Sequence, residues 1–219
     1  MVQVIDRTFA PFLEAGEALP PDLAPRLLQR FSSSEGYTSE PSLVSSLSSL
    51  KHRPVSFASR HFSTLTVGVV TNSDDRVPDV LSSFGLSVSP LRYSTDERSS
   101  HDLDDRGGYD IDFHCMSYDV GAEKPDRKIF EAAESLLATV VPEARAEDWL
   151  KVYVGDEHEK DVVGSAAAGW KPILLDPEGK ATNFVSVEDH LDQTLEAATS
   201  QHSVLRVSSI RALANWLST

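Results

Sequence analysis

The sequence predicts an α/β fold, a doubly wound parallel sheet, and three observations point to it. Four short apolar runs occur from residue 65 onward, helix-patterned segments separate them, and polar residues fall just after the runs. Buried strands alternating with helices imply parallel βαβ units. In such sheets ligands sit at the carboxyl ends of the strands. The residues that bear on function are therefore Thr71, Asn72, Lys124, Asp156 and Asp161.

Each element follows from its local pattern. Leu65-Thr-Val-Gly-Val-Val70 is apolar and β-branched, closes in Thr71-Asn72-Ser73-Asp74, and leads into a helix through Val77, Val80, Leu81 and Phe84 to Gly85. Residues 94–109 are polar and acidic with Gly107-Gly108, the pattern of a mobile loop. Residues 111–116 form the second strand candidate. A long helix follows Pro125, its expected starter, with Ile129, Phe130, Ala133, Leu136 and Leu137 on one face. Residues 150–154 are a third strand ending at Gly155-Asp156, then a small-residue helix spans 160–168 and ends at Gly169. Residues 173–175 make a fourth strand, and 209–217 the closing helix.

The first third reads as helix and loop. Val4, Ile5, Phe9 and Phe12 have helical spacing before Pro20-Pro21 breaks the chain. A second helix is expected over 22–31, its stripe Leu23, Leu27, Leu28 and Phe31. Residues 32–64 are serine-rich, with Pro41 and Pro54, and Val44, Leu47 and Leu50 suggest one short helix there. The division is a helical segment and linker at 1–60 and an α/β core at 61–219.

Composition narrows the partners. A formal charge of −14, from 34 acidic against 20 basic residues, repels nucleic acids and anionic membranes, so neither is expected. No apolar run approaches the ~20 residues of a membrane span. Residues 1–6 lack the pattern of a signal peptide. The single cysteine, Cys115, forms no internal disulfide, which suits a reducing compartment and a cytoplasmic location.

The strand-end residues have chemical and bland readings. Gly155-Asp156-x4-Asp161 sets two carboxylates at a strand edge, a set that suits Mg2+; each is also an ordinary turn or cap residue. Lys124, just before a helix, can neutralise phosphoryl or carboxylate charge over the helix N-terminus, or simply be exposed. The Thr71 hydroxyl and Asn72 amide can bind an oxyanion, or only form a turn. Cys115 reads as buried and apolar, Trp170 as core, His158 as a solvent-facing loop residue that could line the site, and Asp102–Asp105 as a solvated loop.

Order and spacing change that balance. Val-Val-Thr71-Asn72-Ser-Asp, then Glu-Lys124-Pro-Asp-x3-Phe130, then Val-Gly-Asp156-x4-Asp161-x6-Ala-Gly-Trp170 resembles the haloacid dehalogenase (HAD)-like hydrolase superfamily, subfamily IA. The resemblance is firm over residues 65–175 and extends weakly upstream, where Val4-Ile-Asp-Arg-Thr-Phe9 and residues 27–35 look like the later part of a helical cap. It implies a Rossmann-like core with a truncated cap, hydrolysis of a small phosphorylated or carboxylated metabolite, and Mg2+ in the phosphatase case. Thr71 would bind the transferred group beside the Asn72 amide, and Lys124 would steady nucleophile and phosphoryl charge. Asp156 would ligate Mg2+, supported by Asp161.

The family's nucleophile is the first aspartate of an Asp-x-Asp-x-Thr motif on a strand between those of Thr71 and Asp156, and it forms a covalent aspartyl intermediate. This sequence holds no such motif. The nearest stretch is Val2-Gln-Val-Ile-Asp6-Arg-Thr8, which imitates it in degenerate form or belongs to a cap helix. The expectation is a weakly active or inactive chain with weak or absent Mg2+ binding; the alternative is a non-catalytic pseudo-hydrolase that binds or scaffolds. Two sheet edges left facing one another would promote self-association, capture a partner strand, or draw in residues 1–6.

Overall fold

The computed structural model describes residues 2–14, 16–52, 64–93, 108–145 and 148–218. Its described strands form two parallel sheets. In the first, β1 (Gly68–Thr71) pairs with β2 (Phe113–Met116), Val70 opposite Cys115 and Thr71 opposite Met116. Gly68 has no substitute there, because the Phe113 ring fills the space a Cβ would need. The second sheet contains β3 (Val152–Gly155), β4 (Lys171–Leu175), β5 (Val185–Ser186) and β6 (Leu205–Val207), in the order β3–β4–β6–β5. The expected α/β class holds, with every described ladder parallel.

The helical stretch at the N-terminus forms as its apolar spacing requires. Helices α1 (Val2–Phe9) and α2 (Leu23–Phe31) pack on one another, and Ala24 is buried. Asp6 sits exposed on α1, as the helix reading of this stretch expects, and so not at a strand end. It also leaves residues 2–6 outside either sheet. The physical reason is periodicity: Ile5, Phe9 and Phe12 recur at spacings of four and three, which a helical chain keeps on one side, whereas a strand would turn Phe12 to the opposite face. Helix α3 (Leu43–His52) packs against the closing helix, and its Lys51 ammonium bonds the Asp112 carboxylate at 2.6 Å and the Leu65 carbonyl at 3.0 Å.

The core helices sit close to their expected places. After α4 (Val77–Ser83) and the short α5 (Ser117–Val120), α6 (Arg127–Val140) buries Ile129, Phe130, Ala132, Ala133, Leu136 and Leu137. Its cap is Asp126, whose side chain accepts from the Lys128 amide at 2.9 Å, so Pro125 precedes the helix and does not start it. A short acceptor at that position satisfies an orphan amide that proline cannot. Beyond β3 the chain winds as a π-helix over His158–Val163 into α7 (Gly164–Ala167), two residues earlier than the small-residue pattern suggested. Helix α8 (Leu195–Gln201) lies before β6, and α9 (Ile210–Ser218) closes the chain.

Two apolar clusters hold this together. One spans both sheets through α6, joining Val70, Phe113 and Cys115 to Phe130, Tyr153 and Trp170. The other belongs to the larger sheet: Ile173, Val187, Ala198, Leu205, Val207, Leu213 and Trp216. Of the expected loop at 94–109 only Gly108 and Tyr109 lie within the described residues; the Asp102–Asp105 cluster and Pro54 lie outside them. Among the described residues no helix is long and apolar enough to cross a membrane.

Candidate functional site

The site builds up from the ends of β1 and β3 and the turn before α6. Thr71 is the last residue of β1, half-buried, and its hydroxyl has no hydrogen-bond partner among the described residues. Asn72 follows and binds the Lys124 backbone twice. Its side-chain amide donates to the Lys124 carbonyl at 3.0 Å, and its side-chain oxygen accepts the Lys124 amide at 2.7 Å. Just beyond, the Ser73 carbonyl accepts the Tyr118 amide at 3.1 Å, which ties the end of β1 to α5. Thr71, Asn72 and Lys124 are thus gathered at one sheet edge, as the strand-end argument expects.

The Lys124 ammonium is buried, with 11% of its side chain exposed, and faces two oxygens. It donates to Asp161 Oδ1 at 2.7 Å and to Tyr153 Oη at 2.6 Å. The other Asp161 oxygen accepts the Glu157 amide at 2.9 Å. The Asp161 carboxylate lies where a Cβ on Gly155 would have to be, which explains the glycine in Gly155-Asp156-x4-Asp161. Tyr153 donates its own proton to the Val70 carbonyl at 2.8 Å, a bond from β3 to β1. Burial foremost, and then the negative Asp161, push the Tyr153 phenol above its ordinary range, so it stays a neutral hydroxyl.

Asp156 behaves differently. It is exposed, and among the described residues its carboxylate has no hydrogen-bond or ion-pair partner. Mg2+ takes an octahedron of oxygens, of which proteins give one or two carboxylates. Asp156 offers one, while both Asp161 oxygens are already engaged. Among the described residues no three His, Cys, Asp or Glu side chains converge on one point. The described residues therefore do not fit a tightly held Mg2+.

Two roles escaped the sequence reading. Tyr153 was hidden because it stands inside an apolar run, where an aromatic reads as core; its polar end is the signal that could have found it. The Asn72 side chain works as a clamp on Lys124, beyond the backbone amide expected of it. Elsewhere Cys115 is fully buried, and burial pushes its thiol up to about 12. Trp170 packs on Phe130 and Tyr153, with its ring nitrogen donating to Glu134 at 2.9 Å. His158 is exposed but opens the π-helix instead of standing in a loop, and it stacks on Phe184 at 6.0 Å between centroids.

No family model matches the chain. In sequence it is similar to an uncharacterized hydrolase of Schizosaccharomyces pombe, 27% identical over 185 residues, 84% of this chain and 63% of that protein. The chain thus spans less than two-thirds of the length of this curated relative. In structure it is similar to a HAD phosphatase from Thermococcus onnurineus, with a TM-score of 0.50 and 18% identity, covering 94% of this chain and 66% of that one. It is likewise similar to a 2-haloacid dehalogenase from Pseudomonas syringae, with a TM-score of 0.50 and 20% identity, covering 99% of this chain and 69% of that one. Parallel strands and solved neighbours agree on one architecture, and the chain has the haloacid-dehalogenase-like α/β fold.

Proposed function

We propose that this chain carries the anion-binding and charge-neutralising part of a HAD-type hydrolase site for a small phosphorylated or carboxylated metabolite. One observation carries the reading. A buried lysine is clamped by its backbone to the residue after Thr71, and by its ammonium to the helical turn after Asp156. Thr71, its hydroxyl without a partner among the described residues, is suited at the same edge to a ligand oxyanion. Asn72 sets the Lys124 backbone, and Asp156 is the free carboxylate for a weakly held Mg2+ beside waters and ligand oxygens.

The sequence contains no Asp-x-Asp-x-Thr, and Asp6 lies on a helix, so no residue of this chain is assigned as nucleophile. The reading is therefore of a chain weakly active or inactive by itself. A pseudo-hydrolase that binds without turnover is favoured as the second reading by the Lys124–Asp161 pair, which already compensates the lysine charge internally. The single buried cysteine suits a cytoplasmic setting, and β1 and β3, each an outer strand of its sheet among the described residues, suit self-association.

The test uses p-nitrophenyl phosphate with Mg2+, and inorganic phosphate as ligand. Turnover should match that of a Thr71→Val variant, and phosphate affinity should fall about tenfold in that variant, ~1.4 kcal/mol. Turnover clearly above the variant would place a nucleophile in this chain. Phosphate binding that ignores Thr71→Val would remove the anion site.

A further inference from the structure

A lysine ammonium has three N–H donors and accepts nothing. Among the described residues two of those of Lys124 are engaged, by Asp161 Oδ1 at 2.7 Å and Tyr153 Oη at 2.6 Å. The direction of each bond around the phenol is forced. Neither the ammonium nor the Val70 carbonyl leaves a choice: the first can only donate to Tyr153 Oη and the second can only accept from it, at 2.8 Å. The hydroxyl proton is donated to the Val70 carbonyl on β1, with the Asp161 carboxylate the other acceptor beside the phenol, and an oxygen lone pair faces Lys124. Tyr153 itself belongs to β3, and it packs edge-on against Phe130 of α6, centroids 5.5 Å apart.

We infer that Tyr153 is a positioning residue for Lys124, fixing the direction of its ammonium and leaving one N–H for a ligand oxygen. The inference rests on the reading of Lys124 as the group that neutralises ligand charge. Asp161 alone supplies charge without much direction, because an ion pair tolerates a wide range of angles. A buried hydroxyl on a packed ring offers Lys124 an acceptor oxygen at one fixed place. Lys124 is then held at three points: its backbone by Asn72, its charge by Asp161, its direction by Tyr153.

The test reads the ammonium directly in the 15N-lysine-labelled chain, by the exchange rate of the Lys124 NH3+ protons with water. Tyr153→Phe removes one oxygen and keeps the ring against Phe130 and Trp170. Exchange should quicken fivefold or more. Phe130→Leu, which loosens the same aromatic cluster and leaves the hydroxyl, should hold exchange within twofold. An increase below fivefold in Tyr153→Phe, or an equal increase in Phe130→Leu, overturns the inference. Should Tyr153→Phe not fold, the unmutated chain still decides. Its Tyr153 hydroxyl proton should exchange slowly and show a nuclear Overhauser effect to the Lys124 ε-methylene; a fast or unconnected hydroxyl overturns the inference. None of these readouts needs turnover or ligand, so they fail separately from the proposed function.

Discussion

The two sheets differ in how they are supported. The larger, β3–β4–β6–β5, has an apolar cluster of its own that includes the fully buried Trp216. The smaller, β1–β2, is a two-stranded ribbon, a size that is marginal without cover. Its cover comes from α6 and the cluster it shares with Tyr153 and Trp170. Polar ties add to this: Tyr153 to Val70 between the sheets, and Asn72 to the Lys124 backbone. The difference teaches that the candidate site lies on a seam, and that the charged residues proposed to meet a ligand also hold the two halves together. Loss of function at such a residue cannot be separated from loss of stability without measuring both.

The largest effect is expected where the seam is charged. Lys124→Met leaves the Asp161 carboxylate buried, with 5% of its side chain exposed, and without its cation. Removing one partner of a buried pair typically costs about 3–5 kcal/mol. Urea unfolding should show a loss of that size, and Lys124→Met combined with Asp161→Asn should recover at least half of it, because no unpaired buried charge remains. A single variant within about 1 kcal/mol of the parent would mean that the halves are held by packing alone.

Much of this seam was legible in the sequence, and the illegible part has a physical cause. Thr71, Lys124, Asp156 and Asp161 announce themselves because polar residues follow apolar runs, and a parallel sheet sends all such ends to one edge. β5 and β6 were missed because two and three residues are too short to show a period. The opening of the π-helix at His158 was missed because the small residues that mark a helix begin only at Gly164. Tyr153 was missed for another reason: whether its hydroxyl meets solvent or Lys124 is decided by a residue far away in the chain.

A smaller effect should separate the halves by pH. His114, in β2, is 3% exposed, and its Nδ1–H donates to the Leu91 carbonyl at 2.7 Å. Burial pulls its pKa from 6.5 down to about 4; nearby Arg92 adds to the fall, and Asp119 opposes it. Between those values the unfolded chain takes up a proton that the folded chain refuses. The contribution is therefore complete above 6.5 and lost as pH falls toward about 4, by up to about 3 kcal/mol. In His114→Gln the stability measured at pH 7 and at pH 4.5 should differ by markedly less than in the parent. An unchanged pH slope would show that the acid sensitivity resides elsewhere than in β2.

The smallest stability effect is expected at the other carboxylate, and there the comparison is sharpest. Asp156 and Asp161 follow the same strand, yet one is exposed without a partner among the described residues and the other is buried with both oxygens engaged. Asp156→Asn should change unfolding free energy by less than about 0.5 kcal/mol, as surface substitutions away from buried networks do. The parent should bind Mg2+ only in the millimolar range, worth roughly 4 kcal/mol or less, since one free carboxylate leaves most of the octahedron to water. Calorimetry on Asp156→Asn should show that weak heat gone while the melting temperature holds. Asp161→Asn should do the reverse, lowering the melting temperature because it removes the charge that Lys124 pairs with. A large stability loss in Asp156→Asn, or micromolar Mg2+ affinity that survives it, would show that the two carboxylates do not divide the work between ligand and fold.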